Sequence, residues 1–217
     1  MRCVMASELI SSEIAILCLA ALSIGAIHTI LGPDHYLPFV AMSRAGGWTA
    51  RKTLGVTIAC GLGHVASSVV IGIVGLLLGI AVMKLEAFEA LRGDMAAWLL
   101  IGFGLAIVAW AARGMAGRQA APSSPAWTPW LAFLVFALGP CEPLIPMLMI
   151  PAARLDAGAV AIVVAVFAVA TVGTMSIVVM GMRLGLSGLK IRSSNDVSHV
   201  VAGLAIMACG VLVKVGL

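Results

Sequence analysis

The sequence LGPDHYLPFVAM, residues 31–42, places a glycine-proline pair and two ionisable side chains at the end of an apolar run that begins at residue 14. A proline inside a helix cannot donate a backbone hydrogen bond, and it displaces the carbonyl four residues earlier, here that of Thr29. Asp34 and His35 directly follow this predicted helix break. A charged side chain at the centre of a bilayer costs ~2.5–3.5 kcal/mol on insertion scales, so this pair indicates a functional site.

The rest of the chain has the composition of a membrane protein. Hydrophobic residues make up 62% of the 217 residues, charged residues 10%, and the mean hydropathy is +1.16. Crossing ~30 Å of hydrocarbon takes about 20 apolar residues in a helix. Runs that meet this requirement occupy residues 14–31, 54–83, 96–112, 127–151, 157–182 and 197–217. We therefore predict an all-α integral membrane protein with six transmembrane helices.

The second half of the chain repeats the opening segment. LGPCEPLIPMLM, residues 138–149, follows LGPDHYLPFVAM at an offset of 107 residues, with the Gly-Pro pair in register. We divide the chain into a first three-helix repeat, residues 1–113, an inter-repeat loop, 114–126, and a second three-helix repeat, 127–217. Because each half has an odd number of spans, the halves must be inverted relative to each other. Inverted repeats whose helices 1 and 4 are broken by Gly-Pro predict a transporter with its site at the membrane midplane.

Polar side chains within the predicted spans gather near the two breaks and in helix 2. The candidate metal ligands are His28, Asp34, His35, His64, Cys141 and Glu142. Imidazole, carboxylate and thiolate together suit Ni²⁺, Co²⁺, Zn²⁺ or Cu, whereas Mg²⁺ and Ca²⁺ prefer oxygen alone. His199, near the start of helix 6, is interpreted as a packing residue.

Basic residues in the short loops predict the orientation. They concentrate in residues 44–52, 113–118 and 183–192, whereas the opposite side carries most of the acidic residues. The positive-inside rule then puts both termini outside the cytoplasm, in a multi-pass protein of the inner (plasma) membrane. The basic pI therefore reflects topology, and no nucleic-acid partner is expected. The stretch KLEAFEALR, residues 84–92, has charges on one face and apolar residues on the other, which predicts a helix on the membrane surface.

Several of these segments resemble a known group of membrane proteins. HTILGPDH, residues 28–35, is similar to the intramembrane His-x4-Asp-His signature of the nickel/cobalt permeases, and LGHVASSVV, residues 62–70, is similar to the Leu-Gly-His segment of their next helix. With GPCEP opening the second half, the whole chain resembles the urease-accessory UreH-type transmembrane proteins of the lysine-exporter superfamily. The resemblance implies that His28, Asp34, His35 and His64 bind metal. His28 is separated from Asp34 by five residues instead of four, so it joins the site only if the Gly-Pro break absorbs the difference.

Two other functions share this superfamily. Thiol-disulfide transducers carry electrons across the membrane with one Pro-Cys in each half; Pro140-Cys141 fits, but Asp34 occupies the equivalent position in the first half. A disulfide relay needs two thiols that can meet. Anion export, of sulfite for example, is the third alternative, and Asp34 and Glu142 would repel the anion.

The sequence is best interpreted as a secondary transporter, and not an enzyme, for divalent transition metal ions, with Ni²⁺ or Co²⁺ favoured over Zn²⁺ and Cu. Alternating access would carry the ion past the His, Asp, Cys and Glu side chains. Asp34 and Glu142 would neutralise its charge, and the histidines would supply nitrogen ligands. No permanently bound cofactor is expected; the partners are the metal ion and the lipid bilayer, and a homo-oligomer remains open.

Overall fold

The computed structural model describes residues 2–116, 128–139, 141, 143–152, 157–187 and 195–216, and these ranges are helical with no strand among them. The helices are α1 (Arg2–Leu31), a short 3-10 helix (Pro33–His35), α2 (Leu37–Ala45), α3 (Ala50–Leu77), α4 (Val82–Ala116), α5 (Thr128–Leu138), α6 (Leu144–Ala152), α7 (Ala157–Ser187) and α8 (Asn195–Lys214).

Within this part of the chain, five helices are long and apolar enough to cross a membrane. They are Ser12–Leu31, Ala50–Leu77, Val82–Met115, Ala157–Leu186 and Val197–Lys214. The predicted fourth span, residues 127–151, instead holds two short helices, α5 and α6. The prediction of a helical membrane protein is thus confirmed, with five long helices and a divided segment where the sixth was expected.

Two helices end where the glycine-proline pairs predict. α1 ends at Leu31, immediately before Gly32, and α5 ends at Leu138, immediately before Gly139. After the first break the chain turns tightly, since the amide of His35 donates to the carbonyl of Gly32 at 3.0 Å. The breaks follow from the covalent structure of proline, which offers no backbone donor to the preceding turn.

The prediction of a separate surface helix at residues 84–92 is wrong. These residues form the first turns of the continuous helix α4, which begins well before the predicted span at residue 96. Glu89 is fully buried and Arg92 is 7% exposed, whereas Phe88 and Leu91 are exposed. Glu89 and Arg92 therefore point into the protein together with Leu85, whereas Lys84 and Glu86 are exposed like Phe88 and Leu91. Glu89 and Arg92 tolerate burial because they form an ion pair with each other.

The most extensive helix contact joins α4 and α8. Here glycines bring the two backbones together: a Cβ atom added to Gly203 would lie 2.7 Å from the carbonyl oxygen of Gly104, and one added to Gly210 would lie 2.7 Å from that of Ala97. Small residues permit this close approach between membrane helices, where van der Waals packing drives association. Around this pair, α1 packs on α7, α3 packs on α5 and α7, and α2 packs on α8.

The Gly203→Ala variant is expected to be less stable than the wild type, because its new methyl group would press on backbone atoms that cannot rotate away. Overpacking of this kind typically costs ~1–3 kcal/mol. Gly102→Ala, on α4, is the matched control, since a Cβ atom there meets nothing within 4 Å. Thermal unfolding of both variants in detergent should show a lower Tm for Gly203→Ala alone. Equal melting temperatures would mean that the helices separate easily at this contact.

Candidate metal centre

Three imidazoles from different parts of the fold meet next to the first helix break. His28 lies in the last turn of α1, His35 in the 3-10 helix and His64 in α3. The ring centroids are 4.8 Å apart for His28 and His35, and 5.2 Å apart for His35 and His64. One ligand atom from each of the three residues lies within 4.8 Å of the other two. The helix break thus brings residues distant in sequence into one cluster.

The cluster faces a cavity of about 340 Å³ that both helix breaks help to form. Gly32 and Asp34 line it from the first break, and Phe136 and Gly139 line it from the second. Its remaining walls come mainly from α4 and the last residues of α8. A small ion in this cavity would be surrounded by residues from both halves of the chain.

The Nε2 atoms of His28, His35 and His64 are buried and have no hydrogen-bond partner among the described residues. Buried polar atoms are nearly always paired, so three such nitrogens in one cluster are candidates for binding an ion or water. A transition metal bonds imidazole nitrogen at ~2.0–2.1 Å, so an ion would draw these three atoms closer together. The three imidazoles could therefore hold a metal ion.

The opposite ring nitrogens fix the tautomer of two of these histidines. Nδ1 of His64 lies 3.3 Å from the carbonyl oxygen of Phe136, and Nδ1 of His35 lies 3.2 Å from the carbonyl oxygen of Gly32. A carbonyl oxygen only accepts, so each Nδ1 is the donor, and in the neutral ring Nε2 then presents its lone pair. Metal-binding histidines commonly donate the second ring N–H to such an acceptor.

Asp34 lies beside the three-histidine cluster and outside its set of ligand atoms. Its carboxylate oxygen Oδ1 accepts from Nδ1 of His35 at 3.2 Å. The sequence predicts Asp34 as a direct ligand; the structure places it where it orients the His35 ring and supplies negative charge behind it. Gly32 makes room for this pair, because a Cβ atom there would lie 2.9 Å from the carboxylate and 2.5 Å from the ring.

The helix break compensates for the extra residue between His28 and Asp34, because the His28 ring still meets the His35 ring. α1 remains helical through Leu31, which leaves His28 one turn before the break. The chain then reverses into the 3-10 helix, so that the His35 ring packs edge-on against the His28 ring. The geometry therefore includes His28 in the cluster, despite the spacing that differs from the permease signature.

The structure does not bring Cys141 into the cluster. Its side chain is fully buried in an apolar group that includes Ala21, Leu144 and Phe167. Glu142, the sixth predicted ligand, lies outside the described residues. His199, interpreted as a packing residue, is buried in α8 with its ring against Trp110 at a centroid distance of 5.0 Å.

Sequence reasoning missed a buried polar group at the second break. Arg92 donates through Nη2 to the carbonyl oxygens of Ala137 at 3.1 Å and Gly139 at 3.2 Å. Glu89 accepts from the backbone amide of Cys141 at 3.1 Å. The signal that could have found them is the pair Pro140 and Pro143, because neither proline can supply the N–H that the end of a helix requires.

No family model, curated protein or solved structure matches this chain.

Proposed function

We propose that the protein is a secondary transporter of divalent transition metal ions. The observation that carries this proposal is the set of three buried, unpaired Nε2 atoms on His28, His35 and His64. Nitrogen ligands with a carboxylate behind them suit Ni²⁺, Co²⁺, Zn²⁺ and Cu(II), whereas soft Cu(I) would favour sulfur. The resemblance of residues 28–35 and 62–70 to the nickel/cobalt permeases supports the same substrate class.

A transporter of this kind requires two similar halves, and the packing supports an inverted repeat. α1 packs on α7 of the other half, and its counterpart α5 packs on α3. Likewise α2 contacts α7, and its counterpart α6 contacts α3. We propose that α5 and α6 cross the membrane together as one broken span, which gives six spans in an inner membrane with both termini outside the cytoplasm. The histidine cluster would then lie between the halves, where alternating access places a substrate.

The direct test is metal flux into liposomes containing the purified protein. Ni²⁺ and Co²⁺ should enter faster than into empty liposomes, and excess Zn²⁺ should compete. Mg²⁺ should neither enter nor compete, because three imidazoles are a poor site for this hard cation. Flux no faster than in empty liposomes, for every transition metal, would reject the proposal.

The Cys141→Ser variant separates metal transport from thiol-disulfide transfer. Cys141 is buried in an apolar group and neither belongs to the histidine cluster nor lines its cavity, so we expect Ni²⁺ affinity and flux to stay at the wild-type level. In a redox protein the same variant would be inactive, because a serine hydroxyl cannot replace a thiolate. Thiol trapping in cells provides the second readout. A mixed disulfide at Cys141, together with unchanged Ni²⁺ flux in a His35→Ala variant, would favour the redox function.

A further inference from the structure

The second helix break leaves three backbone carbonyls without their helical donors. Phe136 and Gly139 would each bond to the amide four residues later, but those positions are Pro140 and Pro143. The donor for Ala137 would be the amide of Cys141, which bonds to Glu89 instead. Buried carbonyls need partners, so the break can persist only if other groups donate to it.

Arg92 and His64 supply donors to these carbonyls. Nη2 of Arg92 reaches the oxygens of both Ala137 and Gly139, and Nδ1 of His64 reaches the oxygen of Phe136, which also accepts from the amide of Gly139. The guanidinium of Arg92 thus bonds to two carbonyls of the same turn whose Phe136 carbonyl accepts from the His64 ring. One planar group with several donors is suited to this task.

The charges of Glu89 and Arg92 also match the helix ends they contact. Arg92 lies at the C-terminal end of α5, where the aligned peptide dipoles leave partial negative charge. Glu89 lies at the amide of Cys141, just before the N-terminal end of α6, where the partial charge is positive. The ion pair therefore stabilises both ends of the broken segment, in addition to joining the two side chains.

A second path links the same pair to His64 through α3. Arg92 donates to the hydroxyl of Ser67 at 2.9 Å, and that hydroxyl donates to the carbonyl oxygen of His64 at 2.8 Å. The hydroxyl of Ser68 lies 3.2 Å from the carboxylate of Glu89. The ion pair on α4 thus reaches the backbone of His64 through Ser67, and it bonds directly to Ala137 and Gly139, which lie close to the acceptor of the ring.

We propose that Glu89 and Arg92 are positioning residues for the metal site: they hold the second helix break in the form that orients the His64 imidazole. This inference rests on the proposed function, and it assigns the two breaks different tasks. The first break carries a ligand, His35, and the second provides a fixed backbone acceptor for another ligand. Neither Glu89 nor Arg92 contacts the metal.

The test uses the double variant Glu89→Leu/Arg92→Met, which removes both charges at once. Replacing a whole buried ion pair by apolar residues is often tolerated, whereas removing one partner leaves an uncompensated charge. The matched control is Arg183→Met, which removes an arginine that also donates to a backbone carbonyl, that of Trp48 at 2.6 Å, and does not line the cavity of the cluster. Loss of an outer partner of a metal ligand typically lowers affinity ~10–100-fold. We expect a fall of this size in Ni²⁺ affinity for the double variant and none for the control.

Two further measurements test whether Glu89 and Arg92 orient the His64 ring. The ¹⁵N spectrum of histidine-labelled protein, assigned with a His64→Ala variant, reports the Nδ1 hydrogen bond of His64 without any metal; this signature should disappear in the double variant. If the double variant does not fold, Arg92→Lys keeps the charge but lacks the forked donors, and it should lose affinity about tenfold. Wild-type Ni²⁺ affinity in a folded variant, or an unchanged His64 signature, would overturn the positioning role. A wild-type protein that binds no Ni²⁺ while the His64 signature still depends on Glu89 and Arg92 would reject only the proposed transport.

Discussion

Alanine in place of His64 is expected to remove measurable Ni²⁺ binding, and His28→Ala and His35→Ala should do the same. Each variant deletes one of only three nitrogen ligands in the cluster. The loss should therefore exceed the ~10–100-fold effect of removing an outer partner of a ligand. Asp34→Asn should show that smaller effect, because it weakens the acceptor of the His35 ring and leaves every imidazole in place.

His199→Ala is the matched control for these variants. It removes a buried histidine that packs on Trp110 and does not line the cavity of the cluster. Calorimetric titration in detergent should give the control wild-type affinity. If His199→Ala lost as much affinity as His64→Ala, or if Asp34→Asn lost more than His35→Ala, the assignment of ligands would be wrong.

Acidification is expected to release the metal. Only the neutral imidazole offers a lone pair, so protons and metal compete for the same three nitrogens. A free histidine side chain titrates near ~6.5, so its neutral fraction falls about tenfold between pH 7.5 and pH 5.5. Ni²⁺ affinity should therefore be higher at pH 7.5 than at pH 5.5.

Titrations at the two pH values, on protein that remains folded at both by circular dichroism, measure this effect. The same affinity at pH 5.5 and pH 7.5 would exclude histidine as a ligand. Proton release on Ni²⁺ binding, measured in two buffers of different ionisation enthalpy, gives an independent count of the imidazoles that lose a proton.

The helix breaks could be predicted from the sequence because proline acts through its own covalent structure. Pro33 removes a donor in any environment, and α1 ends directly before Gly32. The cluster of His28, His35 and His64 was predictable in its members, since few polar side chains occur in the apolar runs. The Nδ1 acceptor of His64 was not predictable, because Phe136 lies on α5 and meets the ring only through the packing of α3 against α5.

Glu89 and Arg92 show why the remainder could not be predicted. Charges on one helical face and apolar residues on the other predict a helix that lies on the membrane surface. Glu89 and Arg92 are instead buried against protein as an ion pair, as ionisable side chains in membrane helices commonly are. The repeat likewise predicts similar roles for the two breaks. Asp34 in the first break contacts His35, whereas Cys141, at the equivalent position of the second, lies in an apolar group.

Because α4 is long, the thickness of the bilayer can affect its tilt and, through α8, the cavity of the histidine cluster. The 35 residues of α4 span ~52 Å at 1.5 Å per residue, well beyond the ~30 Å of the hydrocarbon core, whereas the 20 residues of α8 nearly match that core. The apolar run of α4, residues 96–112, is shorter than the whole helix, so the tilt of α4 depends on how far its charged first turns enter the membrane. Because the backbones of α4 and α8 touch at Gly104 and Gly203, a change in the tilt of α4 must carry α8 with it. The last residues of α8 line the cavity, so we expect the thickness of the membrane to tune how widely the histidine cluster is exposed.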